Sequence, residues 1–304
     1  MNTRIFTLNN YLRQKFKQRV QKIPLDAKFS CPNRDGTIST QGCIFCNPKG
    51  SGTNLAKQGF TLTQQYLLFQ EKFQHKYKAK LFLAYLQSYS NTYGPLEKLA
   101  NVLKEIKNLP QLAGIALGTR PDCLDKEKCD LINSFNFKEI WLEIGLQSAK
   151  DKTLRLINRG HTYQCFVNAI SLLSSYNFKI CVHVIAGLPE ENKQDFLHTI
   201  HCLNQLPIHG IKFHNIYVCK QTTLAKWWEQ GNFTPLGLQE YLEWLGEAIA
   251  ILRKDIIIHR LNGDPAPNEL LAPLWAKNKS FILQQINTYL TEKNIVQGQN
   301  SSIC

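Results

Sequence analysis

Short apolar runs separated by helical patterns recur along most of this chain, and that alternation restricts its fold more than any other feature. KIPLDA is followed by TLTQQYLLFQEKFQHKY, KLFLAYL by PLEKLANVLKEIKNL, and AGIALG by KEKCDLINSF. KEIWLEIGL then precedes HTYQCFVNAISLLSSY, KICVHVIAGL precedes KQDFLHTIHCLNQL, and GIKFHNIYV closes the series. Strands alternating with helices make βα units, whose strands run parallel in one sheet. Six such strands predict an α/β fold, a partial (βα)6 TIM-like barrel over residues 23–220. Beyond about residue 221 the pattern turns helical (KWWEQ, LQEYLEWLGEAIAILRK, KSFILQQINTYLTEK) around a short IIIHRLNGDPAP segment. We read 221–304 as a helical C-terminal extension packed on the barrel, with VQGQNSSIC as a frayed tail.

In folds of this kind the reactive groups sit on loops at the C-terminal ends of the strands. The segments rich in chemistry fall there: Cys31 after the first strand, Gln87 after the second, Thr119 to Asp122 after the third, Gln147 after the fourth and Gly187 to Glu190 after the fifth.

Residues 30–50, SCPNRDGTISTQGCIFCNPKG, set Cys31, Cys43 and Cys46 in a loop with few apolar residues to pack them against. The chain has ten cysteines, no 18-residue apolar run, and no apolar stretch with a cleavage site at its start. A cytoplasmic protein is expected, in which each thiol is a small buried hydrophobe, a ligand or a nucleophile rather than half of a disulfide. A structural zinc site needs four protein ligands and often shows two CxxC pairs. Here one CxxC exists, Cys43 to Cys46, and Cys123 with Cys129 reads as two packed thiols. Three thiolates suit a 4Fe-4S cluster with one iron left open to a small molecule. The residues leave both the cluster and a structural metal open.

Thirty-six Lys plus Arg against twenty-three Asp plus Glu give a formal net charge of +13, which points to a polyanionic partner. The N-terminal segment, residues 1–22, is densely basic, and Lys15, Lys17 and Arg19 alternate there with Tyr11 and Phe16. It reads either as a phosphate-tracking amphipathic helix or as a helix packed by its aromatics with solvated lysines.

The ending Cys43-Ile44-Phe45-Cys46 resembles the signature of the radical SAM superfamily, although eleven residues separate Cys31 from Cys43 where the commonest form has three. GTRPDCL (118–124), EIGLQSAKDKTLRLINRGHT (143–162) and VHVIAGLPEE (182–191) look like strand-end motifs of the radical SAM domain in the Elongator catalytic subunit. With LDAKFSCPNRDG and RLNGDPAP added, the chain resembles radical SAM proteins of the YhcC/YtqA type across essentially its whole length.

That resemblance implies a 4Fe-4S cluster on Cys31, Cys43 and Cys46, with S-adenosylmethionine (SAM) on its open iron and Phe45 packed by the adenine. Reductive cleavage of SAM would give a 5′-deoxyadenosyl radical, the electron coming from a donor such as flavodoxin or ferredoxin. Glu143 and Gln147, on one strand face with Gly145, are expected near SAM's ribose or methionine part; the alternative is a structural ion pair at Glu143. Gly187 is expected beside the adenine, or else in an ordinary tight turn. Gln87-Ser88-Tyr89 replaces the usual GGE-like triplet. Arg120 and Asp122 read as an ion pair, and Lys212 with His214 as a barrel-mouth pair.

For substrate, the resemblance implies tRNA entered at the anticodon loop, with loss of the carboxymethyl unit of 5-carboxymethylaminomethyluridine at the wobble position to give 5-aminomethyluridine. Radical chemistry on a small molecule or protein, and a non-catalytic metal-containing nucleic-acid-binding protein, are the two competing readings.

Overall fold

The computed structural model describes residues 4–47, 52–265 and 268–301; Ala266 and Pro267 of the GDPAP segment and the last three residues lie outside that set. Strands β1 (Val20–Leu25), β2 (Leu81–Leu86), β3 (Leu112–Thr119), β4 (Ile140–Gln147), β5 (Lys179–Ala186) and β6 (Gly210–Asn215) pair in sequence order, every pair parallel. Between them run α2 (Leu62–Tyr77), α3 (Leu96–Lys107), α4 (Lys126–Ser134), the short α5 (Asp151–Leu156) with α6 (Tyr163–Ser174), and α7 (Lys193–Asn204). The expected βα alternation is present throughout.

The helices start where the sequence supplies caps. Thr61 and Asn192 each close a capping box with Gln64 and Asp195, satisfying amide groups that the first turns of α2 and α7 leave open. β4 is buried at all eight positions, as expected of a central parallel strand covered on both faces. Its outward residues Leu142, Ile144 and Leu146 join the main core under the helices.

The C-terminal part departs from the expectation. After the two-residue β7 (Val218–Cys219) come α8 (Thr223–Glu229), α9 (Leu238–Ile251), β8 (Ile257–Arg260), β9 (Leu270–Ala272) and α10 (Lys279–Glu292). β8 is a seventh strand of the barrel sheet, parallel to β6, so the extension completes the sheet rather than packing outside it. The run IIIHR is short, but its β-branched residues suit a strand covered on both faces. The tail is not frayed through residue 301: Gln297 donates from its side chain to the carbonyls of Arg253 and Ile256, and from its backbone to Arg4.

The basic N-terminal segment is also part of the barrel. α1 (Leu8–Phe16) closes the end of the half-barrel at which the strands begin, and the expected boundary at residue 22 falls inside β1. Phe6, Leu8 and Tyr11 pack against Ala116, Trp141, Cys181 and Ile257 from the sheet's inner face. Tyr11 meets Trp141 edge to face, ring centres 5.9 Å apart.

Candidate active site

The long spacer between Cys31 and Cys43 folds back on itself at the mouth, the strands' C-terminal end. The Cys31 carbonyl accepts from the amides of Arg34 and Asp35, and Gly42, at φ +73°, donates its amide to Asn33. The CxxC turn closes with the Cys46 amide on the Cys43 carbonyl, 2.9 Å. The segment after α5 anchors the loop: Ile44 donates to the Ile157 carbonyl, and Asn158 Nδ2 to that of Gly42. These bonds bring Cys31, Cys43 and Cys46 to one cavity despite the unequal spacing.

Two guanidinium groups face the thiols. Arg159 Nη1 lies 3.5 Å from Cys43 Sγ while its Nη2 donates to the Gly145 carbonyl at 2.6 Å. A Cβ at residue 145 would stand 2.5 Å from Arg159 Nη2, so glycine there gives the guanidinium its passage. Arg34 donates to the carbonyls of Cys46 and Asn47, 2.6 Å each, and lies over the Tyr89 ring. Burial and the neighbouring Cys43 push the Cys46 thiol up against the pull of Arg34. Proton release should therefore accompany ligand binding there.

The donor set fits a cluster better than a single ion. Tetrahedral zinc at about 2.3 Å from sulfur holds its thiolates about 3.8 Å apart. Among the described residues, the one set of three or more His, Cys, Asp or Glu with all ligand atoms within 4.8 Å of one another is Glu143, Cys181 and His259; the loop thiols do not form such a set. Among the described residues they line a wider space than one zinc ion would close, with Cys219 on the wall of the same cavity, and that spacing suits an iron-sulfur cluster held by the three loop thiols. Cys123 and Cys129 are buried, and burial first of all pushes their thiols up to about 11 and about 12, as befits packed side chains.

The cavity encloses about 480 Å³ and runs from the cysteine loop into the half-barrel. Of the residues expected near SAM, Phe45, Gln87, Glu143 and Gln147 line it and Gly187 does not. Gly187 sits at φ +81°, where a Cβ would meet Leu236 at 2.7 Å, so the tight turn explains it. Three non-glycine residues at the mouth hold positive φ: Ser88 at +91°, Tyr89 at +60° and Gln147 at +84°. Such strain persists where surrounding structure enforces it, and it clusters at ligand sites. The Ser88 hydroxyl is buried without a hydrogen-bond partner, an orphan polar atom where a ligand is expected.

Glu143 lines the same cavity at a deeper level than Gln147. Along the inner face of β4, Trp141 rests on α1, Glu143 lies one layer above, Gly145 meets Arg159 and Gln147 reaches the rim. Lys22 and Lys212 both contact the Glu143 carboxylate; His183 Nε2 lies 3.3 Å and His259 Nδ1 3.6 Å from it. Burial alone would raise its pKa, yet Lys212 and Lys22 hold it well below the carboxylate range. The structural ion pair is thus the better account, enlarged to a network. Desolvation keeps the imidazoles neutral, with His183 lowered to about 4 and His259 to about 3. Lys212 and His214 line the cavity, though at the depth of Glu143 rather than at the mouth where the pair was expected, and Arg120 forms a two-pronged pair with Asp122 at 2.9 and 2.8 Å.

The nucleic-acid reading of Lys15, Lys17 and Arg19 meets a different geometry. Lys15 pairs with buried Glu139 just before β4, Arg19 lies 5.2 Å over the Tyr77 ring, and Lys17 takes the left-handed cap of α1. These residues belong to the closed end, away from the cysteines. Sequence reasoning missed Arg34, Lys22 as a partner of Glu143, Tyr85 and Arg260, all but Lys22 lining the cavity. The NRGH motif is the sequence signal for Arg159, and the cation content of the first strand is the available signal for Lys22.

Residues 35–203 match the Radical SAM superfamily, and residues 208–292 match the Radical_SAM C-terminal domain. The chain is 36% identical to protein YhcC of Escherichia coli over 94% of this chain and 92% of that one. It is 33% identical to YtqA of Bacillus subtilis over 97% and 92%. A tRNA uridine(34) acetyltransferase of Dehalococcoides mccartyi is 28% identical over 145 residues, 45% of this chain and 31% of that protein. Among solved structures, Elp3 of Methanocaldococcus infernus superposes with a TM-score of 0.71 at 16% identity, covering 91% of this chain and 64% of that one; this likeness concerns the fold.

Proposed function

The chain belongs to the radical SAM superfamily and is an enzyme of that class, using a 4Fe-4S cluster and SAM; from this premise we propose that it acts on the wobble uridine of tRNA. When bound, cluster and SAM supply a 5′-deoxyadenosyl radical that abstracts hydrogen from substrate. Cys31, Cys43 and Cys46 would hold the cluster, with Arg159 and Asn33 directing N–H groups at Cys43 to offset its charge. Phe45, Gln87 and Gln147 would line the SAM pocket. The observation that carries this is the convergence of Cys31, Cys43 and Cys46 on one cavity, with Arg159 beside the Cys43 sulfur and Arg34 holding the Cys46 carbonyl.

The tRNA part rests on the likeness to the uridine(34) enzymes and on the +13 charge. We take the reaction to be conversion of 5-carboxymethylaminomethyluridine to 5-aminomethyluridine, with flavodoxin or ferredoxin as donor: loss of a hydrogen atom from the methylene beside the carboxylate, and of one further electron returned to the donor with a proton released to water, gives an imine whose hydrolysis releases the two carbons as glyoxylate. An anticodon loop suits a buried radical site because its bases can be splayed out at modest cost. Nucleoside analysis of tRNA from a deletion strain tests the assignment. The carboxymethylaminomethyl form should accumulate, and restoration should need all three cysteines. An unchanged nucleoside profile sinks the tRNA reading, and full iron content in the Cys31→Ala, Cys43→Ala, Cys46→Ala triple variant sinks the cluster assignment.

A further inference from the structure

Below the mouth, the half-barrel interior holds more fixed cations than it can neutralise. Lys22, Lys212 and Arg260 come from β1, β6 and β8, and Glu143 is the one carboxylate their network contains. Lys22 and Lys212 both spend their charge on Glu143, one on each oxygen. Lys212 also donates to the Tyr85 hydroxyl at 3.0 Å. Arg260 stands opposite Lys212 in the β6–β8 register and lines the cavity. Among the described residues its guanidinium makes no hydrogen bond and no ion pair. Beside it, His214 leaves its buried Nε2 without a partner. A guanidinium that lines a cavity with its five donors uncommitted to protein acceptors is free to meet an incoming anion.

We infer that Arg260, backed by Lys212 and His214, is the receptor for a carboxylate on the substrate, and so sets which substrates the enzyme accepts. The inference rests on the proposed wobble-uridine reading in one respect. A nucleic acid keeps its phosphates on the backbone while a splayed base enters the pocket, so the anion reaching the interior is a substituent of that base. The planar fork of a guanidinium matches a carboxylate through two parallel hydrogen bonds. An uncharged carboxamide offers one acceptor fewer and no charge to meet the surplus cation. Selection at Arg260 thus separates bases whose side group ends in a carboxylate from those that end in an amide or amine.

Binding to the anaerobically reconstituted, SAM-bound protein tests this. The probes are an anticodon stem-loop with 5-carboxymethylaminomethyluridine at the wobble position, the same stem-loop with the carboxylate converted to a carboxamide, and the two corresponding free nucleosides. The wild type should prefer the carboxylate in both formats by about tenfold or more, the range of a charge-assisted hydrogen bond. Arg260→Gln should bring that ratio close to one while amide-form affinity and SAM affinity stay as they were. Arg260→Lys should keep part of the preference, and it decides the matter if Arg260→Gln fails to hold its cluster and fold. A wild-type ratio near one, or a ratio that neither variant lowers, overturns the inference. A fall in SAM affinity in place of the lost ratio assigns Arg260 to the cofactor's carboxylate and overturns it equally. If no stem-loop binds but the free carboxylate nucleoside is still preferred, the wobble reading fails and the anion pocket stands. If stem-loops bind without regard to the carboxylate, the pocket fails and the wobble reading stands.

Discussion

A single carboxylate decides how the interior of this barrel can exist. Glu143 has no exposed surface, and the two ammonium groups beside it would be stranded without its charge. Removing one partner from a buried ion network leaves uncompensated charge, a loss of about 3–5 kcal/mol. Glu143→Gln should therefore lower the urea midpoint by that equivalent, whereas Gln147→Ala at the rim should leave stability nearly unchanged and weaken SAM binding. Equal stability of Glu143→Gln and wild type would show that the network contributes nothing. At this scale the sequence is informative about type and poor about partners. The cysteines can be read because a thiol in a polar loop has few uses. Glu143 is expected at the mouth, and lies deeper, because strand periodicity gives the face on which a residue lies and not its depth. Lys22 and Arg260 escape recognition, since the partner of Lys22 is 121 residues away and Arg260 has none among the described residues.

Among the elements, α1 and β8 carry what the alternation pattern cannot announce. The pattern counts strands that are followed by helices, and β8 is followed by a loop, so it reads as an interruption in a helical region. α1 looks like a charged surface helix because its basic residues are so prominent, yet Leu12 is 2% exposed and Tyr11 seals the barrel floor. Leu12→Ala should cost about 2–5 kcal/mol, the usual range for emptying a buried leucine site. A surface helix would lose a fraction of that, so thermal or urea unfolding of the variant separates the two roles directly.

For the molecule as a whole, pH and salt are the informative variables. His183 and His259 stay neutral in the fold, at about 4 and about 3 against an ordinary 6.5. The unfolded chain therefore takes up protons first as pH falls. Their contribution to stability is fully present above about pH 6.5 and is lost between there and about pH 3 to 4. Urea titrations at pH 7.5, 6 and 5 should show falling midpoints, and a His183→Asn, His259→Asn double variant should fall less steeply. A flat wild-type profile would contradict the neutral assignment. The charge distribution makes a second prediction, now that Lys15, Lys17 and Arg19 lie at the closed end. Lys28 follows β1, Lys98 lies in the first turn of α3 and Lys220 follows β7, all on the side where the strands end; neutralising them should reduce the salt slope of tRNA affinity by roughly 0.7 to 0.9 for each phosphate that no longer meets a cation, and neutralising the closed-end trio should not. The reverse result would put the RNA on the floor of the barrel.

The two ends of the chain meet beneath that floor. The Phe6 amide donates to the side chain of Gln297, the Gln297 amide donates to the Arg4 carbonyl, and Ile258 donates to Phe6. Arg4 is synthesised long before Gln297, so these hydrogen bonds form only after every strand of the sheet has been made. The cysteine loop, by contrast, is complete before β2 has been made. The nascent protein thus displays its thiols long before the cavity floor can lock, so iron delivery need not wait for the final closing of the barrel.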